Sequence, residues 1–245
     1  MIPGVSEKSF ALVVPTLNEA GNIDKVLNEI TNALSATEYE YEIVVVDDGS
    51  TDGTLEKVRG WTKQDSRIRL LSRVGERGLA GAVLYGWSHT QANLLGVIDA
   101  DLQHPPELLP KLLQAAEQAD IAIASRYAQN DGTKGWNPLR AAVSRLSTLA
   151  AEPLISKKNL RVTDPMSGFF AIHRRCIERI AFQTTGFKLL LEILVRGRIQ
   201  TVREIAYKFG LRKAGRSKAS ASVAFHYLHL LGRLSLDLVL RSSEQ

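Results

Sequence analysis

The sequence predicts an α/β protein built on a mainly parallel sheet with helices on both faces. Short apolar runs alternate with segments of helical periodicity through the first half of the chain. The runs are continuously apolar rather than alternating, as expected of strands covered on both sides. Polar residues follow the ends of these runs (Asn18 and Glu19, Asp47 and Asp48, Asp99 and Asp101, Arg126), which gathers them at one edge of the sheet.

Residues 10–15 are the first strand and 23–34 a helix. Ile43, Val44, Val45 and Val46 make the second strand, which stops at Asp47, Asp48 and Gly49. A helix is expected from Thr54, a strand at 68–71, and a helix rich in small residues at 78–92. The fourth strand, 94–98, stops at Asp99. Pro105, Pro106 and Glu107 open a helix, because proline fits a first turn whose N–H groups have no helical partner. Residues 121–124 are the fifth strand. The second half is less regular. A helix is expected over 139–155, a turn at 164–168 feeding an apolar run at 169–172, a helix at 187–196 and a strand at 202–209. A basic loop at 210–220 then leads to an apolar helix at 222–240. No repeat or low-complexity linker interrupts the chain, so one domain over 1–218 and a C-terminal helical appendage over 219–245 are expected.

The chain has 245 residues, 44% hydrophobic and 23% charged, which excludes disorder and collagen-like repeats. Its one cysteine, Cys176, excludes an internal disulfide and a cysteine zinc site, and reads as packing rather than a nucleophile. The five histidines lack metal-ligand spacing, and His104 reads as part of a helix-opening loop. Residues 1–10 have no apolar signal core. Charge is uneven: residues 1–120 carry 10 basic and 18 acidic residues, and residues 121–245 carry 21 and 8. The basic half points to an anionic partner such as phosphate or a lipid surface. Few aromatics interleave with these charges, which argues against nucleic acid.

Asp99-Ala100-Asp101 directly follows a buried strand, and Gln103 adds a carbonyl two residues on. Hard oxygen ligands in this pattern suit Mg2+ or Mn2+, which then bridge to phosphate oxygens. A lone aspartate at a strand end is more often a helix cap. Here, polar residues follow several strands at the same edge.

Three further segments complete the pattern: Val14-Pro15-Thr16-Leu17-Asn18-Glu19, Val46-Asp47-Asp48-Gly49-Ser50-Thr51-Asp52-Gly53-Thr54, and Asp101-Leu102-Gln103-His104-Pro105-Pro106-Glu107. Together they resemble the inverting family 2 glycosyltransferases of the GT-A fold, and among them the polyprenyl-phosphate sugar synthases. Ser125-Arg126-Tyr127, Asp164-Pro165-Met166-Ser167-Gly168-Phe169 and the run from Arg212 to Lys218 extend the likeness to residue 218. The resemblance implies that Pro15, Leu17, Glu19, Val46 and Asp48 hold the base and ribose of a nucleotide-sugar donor. It implies that Asp99, Ala100 and Asp101 contact donor and metal, with Gln103 as a further metal ligand. Arg126, Arg212 and Lys218 match contacts to the donor phosphates or sugar. Asp164 falls on the acceptor side, where Arg140 and Arg145 are candidates for the acceptor phosphate. Leu17 stands where relatives often carry an aromatic, which leaves guanine and uracil both open.

The implied reaction is transfer of a hexose, mannose from GDP-mannose first among the candidates, to a polyprenyl or dolichyl phosphate with inversion. Alternatives are UDP-glucose or a UDP-aminosugar as donor to undecaprenyl phosphate, or transfer to a non-lipid glycan. A Rossmann oxidoreductase is disfavoured, because Pro15-Thr16-Leu17-Asn18-Glu19 stands where its glycine turn belongs. In the last helix Ser222, His226, His229, Arg233 and Asp237 form one polar stripe and apolar residues cover the rest. Arg233 and Asp237 disfavour a bilayer span. The helix is expected at the membrane interface or on a small membrane-anchoring subunit, placing the protein peripherally on the cytoplasmic face of a membrane. Burial in a core or a dimer is its alternative.

Overall fold

The structure, a computed structural model, describes residues 8–75, 77–128, 138–182, 188–208 and 221–242. Seven strands form one sheet: β1 (Ser9–Thr16), β2 (Glu40–Asp47), β3 (Ile68–Ser72), β4 (Leu94–Val97), β5 (Ile121–Ser125), β6 (Phe170–His173) and β7 (Val202–Ala206), in the order β3-β2-β1-β4-β6-β5-β7. Every neighbouring pair is parallel except those made by β6, which runs antiparallel between β4 and β5. Helices α1 (Ile23–Ser35), α2 (Thr54–Gln64), α3 (Leu79–Ser88), α4 (Leu109–Ala116), α5 (Pro138–Ser156), α6 (Leu189–Arg196) and α7 (Ala221–Ser242) complete the fold. The expected helix at Pro105 begins instead as a short 3-10 turn, Pro106–Leu108, before α4.

Two apolar layers sandwich the sheet. On one face Val14, Val45 and Leu12 meet Ile23, Leu27 and Ile30 of α1 and Leu112 and Leu113 of α4. On the other, Val13, Val44 and Val46 meet Val83 and Trp87 of α3, and the layer continues to Leu190 and Ile193 of α6 and Leu234 of α7. Coverage on both faces is why these strands read as unbroken apolar runs. Helix α7 docks by one side. Leu234 is buried, Arg196 of α6 pairs with Asp237, and the Tyr227 hydroxyl donates to the Ser147 carbonyl of α5. Asp237 of the polar stripe turns inward to Arg196, while Leu228 and Leu236 are exposed.

Gly96 lies on β4 under the ring of Phe10. An added Cβ would stand 2.6 Å and 2.7 Å from two ring carbons. Phe10 is fully buried and cannot swing away. Gly96→Ala is expected to cost about 1–3 kcal/mol by overpacking. A lower urea midpoint at unchanged slope would show it; an unchanged midpoint would mean that the β1–β4 layer is loosely packed.

Candidate active site

The first two strands leave the sheet side by side, with Pro15 opposite Val46 and Thr16 opposite Asp47. Asp47 is fully buried and works as a clamp. One oxygen accepts the N–H groups of Gly49 at 3.0 Å and Ser50 at 2.8 Å, and the other accepts the hydroxyls of Ser50 and Thr16. Asn18 adopts the left-handed conformation, with φ 59°; its N–H donates to the Ser50 hydroxyl, and its side-chain oxygen accepts from Thr51 N–H. Asparagine tolerates that backbone better than most residues. The two loops are thus stitched together, with Pro15, Leu17 and Glu19 partly exposed on their rim and Val46 buried beneath.

Asp48 is held by a fork from Arg73, Nε to one oxygen at 2.8 Å and Nη2 to the other at 2.7 Å, while Gly78 N–H donates to it at 2.9 Å. Both side chains are 6% exposed, so the carboxylate is neutralised inside the protein. The sequence reading passed over Arg73, although an arginine at a strand end is the same signal as Arg126.

Beyond β4 the chain turns through Leu102, a non-glycine residue at φ 60°, a conformation costing a bulky side chain roughly 1–2 kcal/mol. That turn brings Gln103 N–H to an Asp101 oxygen at 3.1 Å. Asp101, Gln103 and His104 are buried, and Ala100 packs into the layer below. Asp99 is partly exposed, and its carboxylate stands 3.4 Å from His104 Nδ1. It also rests on Gly168, where an added Cβ would come within 2.7 Å of a carboxylate oxygen. His104 lies edge-on to Phe169 and beside Tyr207. Burial, outweighing the pull of Asp101, presses its pKa down to about 4, so the ring is neutral at pH 7. Burial likewise pushes the Tyr207 phenol up. Both residues border this site; His104 falls inside the motif segment 101–107 without being singled out there, and no motif announced Tyr207.

Arg126 follows β5. Its Nε and Nη2 reach the two oxygens of Asp164 at 2.7 Å and 2.6 Å, and its N–H donates to the same carboxylate at 3.0 Å. Asp164 is wholly buried and the arginine side chain 12% exposed. Burial opposes the arginine's charge, but the Asp164 bonds override it and raise the pKa. Glu204 of β7 accepts the N–H groups of Thr163 and Asp164, and the Ser167 hydroxyl donates to the Ala124 carbonyl of β5.

A cavity of about 160 Å³ opens beside Asp99, Gly168, Met166, Leu79 and Lys188. Burial pulls the Lys188 ammonium below its ordinary pKa; the Arg126 charge pushes the same way, and Asp164 and Asp99 pull back. Lys188 is a cation of the site that the sequence reading missed. Its one signal is a lone charge opening the apolar stretch Leu189-Leu190-Leu191.

The remaining candidates lie apart or outside. Arg145 is exposed on α5. Its neighbour Ser144 accepts the Tyr127 hydroxyl at 2.7 Å, which ties α5 to the segment after Arg126. The side chain of Arg140, and Arg212 and Lys218 altogether, fall outside the described residues. Cys176 is buried, and burial pushes its thiol up to about 11, which suits packing. Among the described residues no three His, Cys, Asp or Glu side chains form a metal cage. Asp99, Asp101 and Gln103 instead offer the sparse oxygen set that Mg2+ uses when phosphate and water complete its shell.

Residues 11–181 match the family described as glycosyl transferase family 2. The dolichol-phosphate mannosyltransferase of Pyrococcus furiosus is 37% identical over 225 residues, 91% of this chain; the chain spans 63% of that relative's length. The Saccharomyces cerevisiae protein of the same name is 33% identical over 92% of this chain and 86% of its own. Glucosyl-3-phosphoglycerate synthase from Mycobacterium tuberculosis, solved in complex with Mg2+ and uridine diphosphate, superposes with a TM-score of 0.71. The match covers 94% of this chain and 80% of that one at 20% identity, which makes it a likeness of fold.

Removing Asp164 strands a buried guanidinium, so Asp164→Ala is expected to cost about 3–5 kcal/mol, and Arg126→Met with Asp164→Leu much less. Urea midpoints of the three proteins decide it. A cost for Asp164→Ala below about 1 kcal/mol, the level of an exposed pair, would show that the pair does not hold the site.

Proposed function

The chain belongs to glycosyl transferase family 2, and from that premise we propose that it transfers a hexose to a polyprenyl or dolichyl phosphate with inversion. Mannose from GDP-mannose is the first candidate, in keeping with the names of its relatives. One observation carries the reading: Asp99 and Asp101 stand with the cations Arg126 and Lys188 at a single sheet edge. This is an arrangement suited to diphosphate and phosphate together.

In this reading Pro15, Leu17, Glu19, Val46 and Asp48 receive the base and ribose. Asp99, Ala100 and Asp101 face the diphosphate, with Asp99, Asp101 and Gln103 the residues that would hold Mg2+ or Mn2+. The Mg2+ and UDP of the mycobacterial structure support a divalent ion and a nucleotide donor. When bound, the ion neutralises charge that develops on the leaving diphosphate. Arg126, Lys188, Arg212 and Lys218 add cationic donors for phosphate oxygens. Arg140 and Arg145 are placed on the acceptor side, and Asp164 serves there by aiming Arg126.

The acceptor needs no residue to take a proton. A phosphate monoester has a second pKa near ~6 and is an anionic nucleophile at neutral pH. Its oxygen bonds to the anomeric carbon as the bond to the diphosphate breaks, and the electron pair leaves with the diphosphate. The protein's task is in-line placement and charge neutralisation. A neutral, enclosed His104 fits that division of work.

The lipid acceptor places the protein at a membrane. Among the described residues no helix is long and apolar enough to cross one. Val143, Leu146 and Leu149 of α5 and Leu228 and Leu236 of α7 are exposed. We read residues 1–218 as the catalytic domain and 219–245 as the helix that rests on the cytoplasmic face or on a small anchoring subunit. The UDP-bound neighbour favours a second reading, a UDP-sugar donor on the same acceptor or on a non-lipid glycan.

Labelled sugar nucleotides offered with polyprenyl phosphates test the reaction. A β-linked lipid product from an α-linked donor is expected; an α-linked product, or none with any donor, would overturn it. Asp101→Ala is expected to slow turnover about 100- to 1000-fold, by analogy with loss of a preorganised oxyanion donor. Lys188→Met is expected to lower kcat more than Lys188→Arg, and equal losses would remove Lys188 from the phosphate contacts.

A further inference from the structure

A second cavity lies at the opposite edge of the sheet. It measures about 770 Å³ and is lined by Lys158, Arg175, Arg179, Arg196 and Arg198, with Asp120 as its one carboxylate. Asp120 precedes β5 and Arg126 follows it, so the strand's own five residues, about 16 Å at ~3.3 Å each, separate this cavity from the candidate active site.

The carboxylates nearby are already engaged. Asp120 accepts Arg175 Nη2 at 2.9 Å through one oxygen, and Gln200 N–H at 2.9 Å and Thr201 N–H at 3.1 Å through the other. Arg196 binds Glu192 at 2.6 Å, Asp237 at 2.8 Å and the Ala181 carbonyl at 3.1 Å. Lys158, Arg179 and Arg198 share the cavity, and none has a carboxylate partner within salt-bridge range among the described residues. Their backbone frame is firm. Arg198 N–H donates to the Cys176 carbonyl at 2.9 Å, and an added Cβ at Gly197 would lie 2.5 Å from the Ile193 carbonyl. Three like charges around one concavity raise each other's energy and concentrate anions there. Guanidinium forks match phosphate oxygens in shape as well as charge.

We propose that this cavity is a second anion site that binds a phosphate group, separate from the transfer site. Its volume takes a diphosphate or the phosphate of a lipid headgroup.

The full-length chain is compared with Arg179→Ala/Arg198→Ala and with Arg179→Lys/Arg198→Lys. Both arginines are exposed, and equal melting temperatures confirm the fold. In one arm pyrophosphate is titrated without divalent ions, and amide NMR shifts of Arg198, Ile199 and Gln200 are followed. In the other, phosphatidylcholine vesicles with and without phosphatidylglycerol are sedimented with the protein. The alanine pair is expected to weaken the wild-type response about tenfold or more, the scale of lost charged hydrogen bonds, and the lysine pair to retain most of it. A response to pyrophosphate alone assigns a soluble phosphate, and one to phosphatidylglycerol alone assigns a headgroup. Silence of the wild type in both arms, or equal responses from wild type and the alanine pair, overturns the proposal. Sugar transfer is expected unchanged in the alanine pair, which separates this result from the fate of the transfer reading.

Discussion

The antiparallel entry of β6, with the Arg126–Asp164 pair closing the junction before it, is the constraint on which the strand-end crevice depends. Parallel strands deliver only their C-terminal ends to that edge. Because β6 runs the other way, the segment before it arrives at the same edge, carrying Asp164 and Gly168 between Asp99 and Arg126. The pair then closes this junction, Glu204 caps the N–H groups of Thr163 and Asp164, and Ser167 fastens the loop to β5. Gly168 leaves the room into which the Asp99 carboxylate packs. Four strands, β4, β5, β6 and β7, are thereby locked around one small volume.

Charge in this volume is arranged before any ligand arrives. Asp48 reaches the rim neutralised by Arg73, and Arg126 is aimed by Asp164. Buried pairs of this kind contribute little net stability, because desolvation offsets attraction. Their value here is orientation: a guanidinium held by a carboxylate keeps one fixed direction. The neutral His104 and the enclosed Tyr207 phenol keep the floor of the crevice free of competing charge. Lys188 brings a further cation from α6, so positive groups approach Asp99 from two different elements.

Much of this was legible in the residues because buried parallel strands leave unbroken apolar runs, and the aspartates stopping them mark one edge. Pro15, Asp48, Asp99, Asp101 and Arg126 all fall where strand-end logic puts them. The direction of β6 was not legible, since Phe170-Ala171-Ile172 reads alike either way and only the connection decides. Arg73 and Lys188 stayed hidden for a related reason, as single charges whose charged neighbours are distant in sequence, Asp48 for Arg73 and Arg126, Asp164 and Asp99 for Lys188. His104 looked like part of a helix-opening loop until packing against Phe169 and Tyr207 enclosed it. For α7 the periodicity was right, and one contact was not legible in it: Asp237, on the polar stripe, faces Arg196 of α6.

The position of manganese in crystals grown with Mn2+ and GDP tests most directly whether this edge is where a donor diphosphate sits. An anomalous peak beside Asp101, bridging to diphosphate oxygens between the ends of β4 and β5, is the expected result. A nucleotide bound elsewhere, or one bound at this edge with Asp99 and Asp101 turned away from both metal and phosphate, would contradict it.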